Sequence, residues 1–262
     1  MTNISDYLYR KASINRIPLN GTFELSPVCN FNCKMCYIHR SPNSREALLG
    51  EKDTAWWLNV AREARSRGML LLLLTGGEPM LRPDFDEIYR ECKKLGLLVS
   101  VNTNATLIDE DKLRLFYEYP PHKVSVTLYG ALSETYGKLC GNPSAYQKVV
   151  DSIYELKKAG VNLKLNYSIT PDNVADIPAV TAFIKELGVP AIAAFGAAIK
   201  ALPDLNKTAE EIYKRITANI PGVKTALYNT INVYDILNAD KIVITEKSMP
   251  MIENWLLGKE NA

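Results

Sequence analysis

The sequence has little net charge, no long apolar run and no sign of an export leader. Its 31 Lys and Arg nearly balance 29 Asp and Glu, leaving a formal charge of +2. That excess is too small to indicate nucleic acid or an anionic membrane as the main partner. Apolar runs such as MLLLLL, which begins at Met69, fall far short of the roughly 20 residues that span a bilayer. The N-terminal residues lack the apolar stretch and cleavage site of a secretory signal. We therefore expect a cytoplasmic protein without a membrane partner.

Cysteine is scarce and unevenly distributed. There are five, and three of them, Cys29, Cys33 and Cys36, stand within one stretch of eight residues, CNFNCKMC. Cys92 and Cys140 follow far downstream, and no cysteine comes after Cys140. An odd number of cysteines without an export signal argues against a disulfide framework. The three clustered cysteines therefore need another explanation.

Short apolar runs alternate with helix-length amphipathic stretches along most of the 262 residues. Strands are predicted over 22–28, 69–76, 97–104, 123–129, 162–169 and 191–196. Helices are predicted near 53–67, 84–95, 109–118, 143–159 and 174–187. This alternation indicates parallel strands joined by helices, in an α/β barrel or a doubly wound sheet.

Three of the predicted strands have one polar face. In VSVNTN, Val99 and Val101 share one face, whereas Ser100, Asn102 and Asn104 share the other. The strands at 123–129 and 162–169 repeat the pattern. A half-solvated antiparallel sheet alternates in the same way, but the helix-length connections favour parallel strands. We therefore predict a barrel whose lumen holds a polar ligand.

The cysteine spacing Cys-x-x-x-Cys-x-x-Cys is compatible with two kinds of metal site. Zinc could take the three thiolates and His39, which follows Cys36 by three residues, as a Cys3His tetrahedron. An iron–sulfur cubane usually takes four thiolates, so three would leave one iron open to another ligand. The cysteines follow the first predicted strand at its C-terminal end, which is where α/β barrels place their active sites.

The second predicted strand ends in TGGEP at the same rim. Gly76 and Gly77 allow a sharp turn that exposes backbone carbonyls, and Glu78 adds an acceptor, a combination that suits a cationic amine. Taken alone, the motif is equally typical of an ordinary strand-to-helix turn that Pro79 opens.

Together, the two motifs resemble the radical S-adenosylmethionine (radical SAM) enzymes over about residues 20–200. The resemblance implies that Cys29, Cys33 and Cys36 bind a [4Fe–4S] cluster whose fourth iron is chelated by S-adenosylmethionine. It implies a cofactor-binding set made of Met35, Gly76, Gly77, Glu78, Pro79, Asn104, Ser125 and Thr127, in which the last three are the looser match. No catalytic side chain is predicted.

The resemblance is strongest to the subgroup that modifies peptides, but the chain departs from that pattern. The cysteine-rich extension of the subgroup, with its auxiliary clusters, is missing because no cysteine follows Cys140. Many relatives also have an arginine within 136–146 that holds the cofactor carboxylate, and this chain has Cys140 near that position. We expect Cys140 and Cys92 to be packed thiols.

The C-terminal part resembles a different protein. Residues 219–256 are similar to the end of the fourth large-subunit ribosomal protein, notably in NVYDILNADKIVIT. We expect this segment to add strand, helix, strand and helix to the edge of the barrel, or to be a fusion or a chimeric piece. The predicted domains are a lead-in at 1–20, a core barrel at 21–218 and this segment at 219–262.

The sequence therefore predicts a partial (β/α)6 TIM-like open barrel with a C-terminal βαβα segment. The resemblance implies a radical SAM enzyme that makes a 5′-deoxyadenosyl radical and abstracts hydrogen from a peptide or small-molecule substrate. It also implies a low-potential electron donor. A structural zinc module of the Cys3His type and a ribosome-associated fusion protein are the alternatives.

Overall fold

The computed structural model describes residues 4–36, 38, 44 and 49–195. The strands are β1 Asn20–Ser26, β2 Leu71–Gly76, β3 Leu98–Thr103, β4 Lys123–Leu128, β5 Leu163–Ile169 and β6 Ala191–Phe195. The helices are α1 Ile4–Asn15, α2 Thr54–Ser66, α3 Phe85–Lys94, α4 Glu110–Glu118, α5 Ser133–Cys140, α6 Ala145–Lys158 and α7 Ile177–Leu187. Short 3-10 turns at Pro79–Leu81 and Val174–Asp176 complete the described elements.

The strands form one parallel sheet in the order β1-β2-β3-β4-β5-β6. Each strand pairs with its predecessor, so the strand order does not reverse as it does in a doubly wound sheet. This order, with a helix between successive strands, is that of a barrel wall. The predicted partial TIM-like barrel is confirmed, and β1 and β6 lie at the two edges of the described sheet.

The predicted strands and helices are present with small shifts at their ends, but α1 and α5 were not predicted. In α1 the apolar residues Ile4, Tyr7 and Ile14 are exposed, so its sequence lacks a clear core-facing stripe. The short helix α5 contains Gly137, which lowers helix propensity. In α5, packing against α6 outweighs this weak local signal.

The two faces of the sheet differ as predicted. Val99 and Val101 of β3 are fully buried, whereas Asn102 on the other face is only partly buried. The register places Asn102 beside Ser125 and Ser125 beside Lys164. A row of polar side chains therefore crosses the inner face of β3, β4 and β5.

Several predictions concern residues outside the described part of the chain. His39 and the C-terminal segment 219–262 are among them, so their predicted roles stay predictions. No helix in the described part combines the length and the apolar character that a membrane span requires.

Candidate active site

The C-terminal ends of β1, β2 and β3 bring three stretches of sequence to one rim. The cysteine loop leaves β1 after Ser26, Gly77 follows β2 directly, and Asn104 follows β3. Because neighbouring parallel strands end at the same edge of a sheet, residues far apart in sequence meet there. The two motifs that the sequence pairs are thus neighbours in space.

Cys29 lies half-buried at the start of the cysteine loop. Its Sγ accepts hydrogen bonds from the Phe31 backbone N–H at 3.4 Å and from Asn104 Nδ2 at 3.8 Å. Burial raises the pKa of the thiol to about 11, although these donors oppose the rise. A metal would therefore have to displace a proton from this sulfur.

Cys33 is buried and faces α5. Its thiol contacts the Cys140 thiol and the Tyr129 hydroxyl, and the hydrogen bond with Cys140, followed by burial, raises its pKa. The backbone fixes the same contact, because Asn32 N donates to Cys140 O at 3.1 Å and Lys34 N to Leu139 O at 2.8 Å. The end of α5 therefore supports the middle of the cysteine loop.

The donor set fits an iron–sulfur cluster in kind and in place. Cys29, Cys33 and Cys36 supply three sulfurs from one loop at the rim, and Cys36 N donates to Cys33 O at 2.9 Å. Within the described residues, however, no group of three His, Cys, Asp or Glu side chains stands close enough to hold a metal ion. The three sulfurs share the loop without converging on one point.

Gly76 and Gly77 are required by the local packing. Gly76 has a φ of +135°, and a Cβ there would lie 2.3 Å from Ser26 O. A Cβ on Gly77 would lie 2.1 Å from Val28 O. The backbone after β2 thus packs directly on the start of the cysteine loop, where Gly77 N donates to Ser26 O at 2.8 Å. This approach accounts for both glycines without a ligand.

Glu78 is fully buried, and its carboxylate joins the β2 and β3 ends. It accepts from the Thr103 hydroxyl at 2.9 Å, from Asn104 N at 2.7 Å and from Met80 N at 3.2 Å. Burial raises its pKa to about 7, and the bonds from Asn104, Thr103 and Met80 oppose this. Pro79 is buried and opens the following 3-10 turn. The Glu78 oxygens thus accept hydrogen bonds from three groups of the protein, and the predicted contact of Glu78 with the cofactor stays a prediction.

Asn104 belongs to a closed ring of hydrogen bonds among three side chains. Its Nδ2 donates to Asn30 Oδ1 at 2.7 Å, Asn30 Nδ2 donates to Thr106 Oγ1 at 2.8 Å, and Thr106 Oγ1 donates to Asn104 Oδ1 at 2.6 Å. Asn30 and Thr106 were not predicted as site residues. The Asn-x-Thr spacing after a strand, with Asn30 beside the first cysteine, was the available signal because short polar side chains bond locally in such turns.

The remaining predicted residues lie farther around the rim or inside the barrel. Met35 is half-buried against the core. Ser125 is buried within β4 rather than at its end, and Thr127 is half-buried near the end of that strand. The register sets Thr127 beside Asn166. Of the looser matches, Asn104 therefore joins the cysteine loop directly, whereas Ser125 and Thr127 belong to the inner face.

A family model for the radical SAM superfamily matches residues 23–184, which is more than half of the chain. The chain belongs to the radical SAM superfamily. The superfamily consists of enzymes that use a [4Fe–4S] cluster and S-adenosylmethionine. A model of the ribosomal protein L4/L1 family also matches residues 180–255, in agreement with the predicted resemblance of the tail.

Curated relatives carry different activities in their names. The chain is 32% identical to an AdoMet-dependent heme synthase of Methanosarcina barkeri, over 66% of this chain and 49% of the relative. It is 29% identical to the PqqA peptide cyclase of Gluconobacter oxydans, over 65% of this chain and 47% of the relative. The chain thus spans about half the length of these relatives.

Solved structures agree with the fold. SuiB of Streptococcus suis bound to S-adenosylmethionine superposes with a TM-score of 0.62 at 21% identity, covering 83% of this chain and 51% of SuiB. At this identity the likeness establishes the partial barrel alone.

Proposed function

We propose that the chain cleaves S-adenosylmethionine reductively and uses the resulting radical to abstract hydrogen from a substrate in the barrel lumen. The observation that carries the proposal is that one rim brings together the segment with Cys29, Cys33 and Cys36, the Gly76–Pro79 turn and Asn104. Superfamily membership supports it. The zinc module explains the cysteines without explaining this rim or the polar inner face.

Cys29, Cys33 and Cys36 would hold the cluster. When bound, the cluster would supply the electron for reductive cleavage of S-adenosylmethionine. The protein contributes placement and exclusion of water, as is usual for cofactor enzymes. The Gly76–Pro79 turn flanks the cysteine loop and Met35 lies within it, while Ser125 and Thr127 continue the polar surface from the rim into the lumen.

The proposed substrate is a peptide or a small polar molecule. The partly buried Asn102, Thr127 and Asn166 on the inner face can bond to polar groups. The name of the PqqA peptide cyclase supports a peptide. A low-potential electron donor is the other proposed partner.

Anaerobic reconstitution with iron and sulfide tests the metal. We expect about four irons per chain in one cubane and the visible absorption of an iron–sulfur protein. The His39→Ala variant serves as the control, since it should keep the cluster. Native protein that holds zinc and loses it in the His39→Ala variant would support the Cys3His module and exclude the enzyme.

Reductive cleavage tests the chemistry. Cluster-loaded chain with S-adenosylmethionine and a strong reductant should release 5′-deoxyadenosine, quantified by liquid chromatography. The Cys92→Ala variant should behave like the native chain, because Cys92 is buried in α3. Release of no 5′-deoxyadenosine from fully loaded native chain would contradict the proposal.

We further propose that 21–218 is the catalytic barrel and that 219–262 packs against its edge. An exposed sheet edge promotes association between chains. A chain that ends at Asn219 should therefore keep cluster binding but be less soluble. Equal solubility and equal heat resistance would contradict this division.

A further inference from the structure

The cysteine loop is fastened at its base. It leaves β1 after Ser26, and Glu51 lies just before α2. The Ser26 hydroxyl donates to Glu51 Oε1 although the two residues are 25 positions apart. Ser26 is fully buried. One hydrogen bond therefore joins the departing strand to the returning chain.

Arg82 reinforces the junction from the β2 side. Its Nη1 donates to Leu25 O at 3.1 Å and to Glu51 Oε2 at 3.4 Å. Its Nε and Nη2 pair with the Asp84 carboxylate at 2.9 and 2.7 Å. The Thr54 hydroxyl donates to the same carboxylate at 2.6 Å. Arg82 thus contacts both ends of the loop, and Asp84 links it to the start of α2.

Because these side chains are largely buried, their polar groups must be paired within the protein. The Arg82 side chain is 7% exposed, and those of Glu51 and Asp84 are 19% exposed. A buried guanidinium is costly unless its N–H groups are paired. Only arginine presents a planar fork that can bind one carboxylate through two N–H groups while a third reaches elsewhere. Lysine cannot reproduce this arrangement.

We propose that Ser26, Glu51, Arg82 and Asp84 form a base clamp that positions the cysteine loop for cluster binding. They are positioning residues, since they act through the loop rather than on the cofactor. Fixing both ends of a loop lowers the conformational entropy it loses when its interior is ordered. The inference rests on the proposed function only in naming the ligand that the loop receives.

The first test needs no cluster. In the full-length apo chain, the rate of alkylation by iodoacetamide is followed at Cys33 and Cys92 by mass spectrometry. Both thiols are buried, but Cys33 belongs to the loop and Cys92 to α3, so Cys92 reports opening of the whole barrel. Removal of Arg82 leaves its buried partners without their hydrogen bonds, which favours local opening of the loop. We therefore expect Arg82→Met to label Cys33 about tenfold faster while Cys92 is unchanged.

Milder and conservative variants sharpen the result. Arg82→Lys keeps the charge but loses the fork, so it should label Cys33 nearly as fast as Arg82→Met. Ser26→Ala and Glu51→Gln should give smaller increases in the rate of alkylation at Cys33. They replace Arg82→Met as the test if that variant does not fold. Tyr89→Phe is the matched control, because it removes a buried hydroxyl that donates to Tyr119 O at 2.6 Å. Equal rates at Cys33 in all these variants, or equal increases at Cys33 and Cys92, would overturn the clamp.

The second test uses the reconstituted chain. Clamp variants should release iron to a chelator several-fold faster than the native chain and Tyr89→Phe. Their iron content at saturation should remain the same because the three thiols are intact. A native chain that binds no cluster would refute the proposed function while the labelling result still decided the clamp. A native cluster with unchanged release in every clamp variant would refute the clamp alone.

Discussion

The outer layer of the barrel and its rim are built on opposite principles. Between the sheet and the helices, Val99, Val101, Val124 and Val126 are fully buried, with apolar neighbours. At the ends of β1, β2 and β3, the buried residues include Ser26, Glu78, Arg82 and Asn104. The outer layer buries apolar side chains, whereas the rim buries polar side chains that bond to one another and to the backbone.

The outer layer mainly stabilises the fold, whereas the rim mainly positions the site residues. Burying an aliphatic side chain stabilises a fold by roughly 1.5–3 kcal/mol, whereas a buried polar group costs free energy unless it is fully bonded. Polar groups at the rim therefore contribute little net stability. Their directional bonds instead set where the cysteine loop, the Gly76–Pro79 turn and Asn104 lie. Changes at the three cysteines should therefore alter cofactor binding more than unfolding, and changes in the outer layer should alter unfolding more than cofactor binding.

The largest expected effect is at the rim. Changing Cys29, Cys33 or Cys36 to Ala should abolish cluster binding, because a cubane cannot be held by the two remaining protein thiolates and an exchangeable ligand. Iron analysis and visible absorption after anaerobic reconstitution measure the loss. The midpoint of thermal unfolding of the apo chain should change little. A variant that kept a full cluster would show that its cysteine is not a ligand.

The matching change in the outer layer should have the converse result. Ile88 of α3 is fully buried, so Ile88→Ala leaves a cavity and should lower the free energy of unfolding by about 2–5 kcal/mol. Urea denaturation of the apo chain measures this change. Iron content after reconstitution at low temperature should be unchanged. Loss of the cluster from a folded Ile88→Ala chain would contradict the claim that the outer layer affects unfolding and not cofactor binding.

The strands and helices of the outer layer were predicted well, because the spacing of apolar residues and the residues at element ends determine them. The alternation in VSVNTN identified the buried face of β3, and the helix predicted near 84–95 is α3, Phe85–Lys94. Parallel pairing followed from the helix-length connections. The strand–helix alternation alone fits a barrel and a doubly wound sheet, but the polar face of three strands favoured the barrel, and the strand order confirms it.

The rim was predictable only in part. Three cysteines and GGEP are visible as motifs, but the bonds that join Asn30 to Asn104 and to Thr106 span more than 70 positions. The base clamp is also invisible in the sequence, since Glu51 and Arg82 become partners only when β1 and β2 pair. Short sequence patterns do not indicate contacts between residues that are far apart in the chain.

A pH titration tests the rim at Glu78. Its pKa in the folded chain is about 7, above the ordinary 4.5, so the folded state binds the proton more tightly than the unfolded state. The stability that Glu78 contributes to the apo chain should therefore be fully present below about pH 4.5 and be lost as the pH rises through about 7. The contribution of this group is about 3 kcal/mol at most.

Glu78→Gln should remove that part of the pH dependence. The comparison is made by urea denaturation of the native and variant apo chains at several values between pH 4.5 and 8. Cys92→Ala, which leaves the carboxylate in place, is the control and should keep the native slope. Parallel pH profiles for the native chain and Glu78→Gln would show that Glu78 does not titrate in this range.

The smallest effect distinguishes two helix N-caps. Asp109 accepts a hydrogen bond from Lys112 N at 2.9 Å and caps α4, and Asp53 accepts one from Trp56 N at 2.8 Å and caps α2. Either change to Ala should cost about 1 kcal/mol in urea denaturation, and either change to Asn should cost almost nothing. Only Asp53→Ala should also speed alkylation of Cys33, because α2 begins at Thr54, which bonds to the base clamp through Asp84. Equal labelling of Cys33 in the Asp53→Ala and Asp109→Ala chains would mean that the start of α2 stabilises the fold without positioning the cysteine loop.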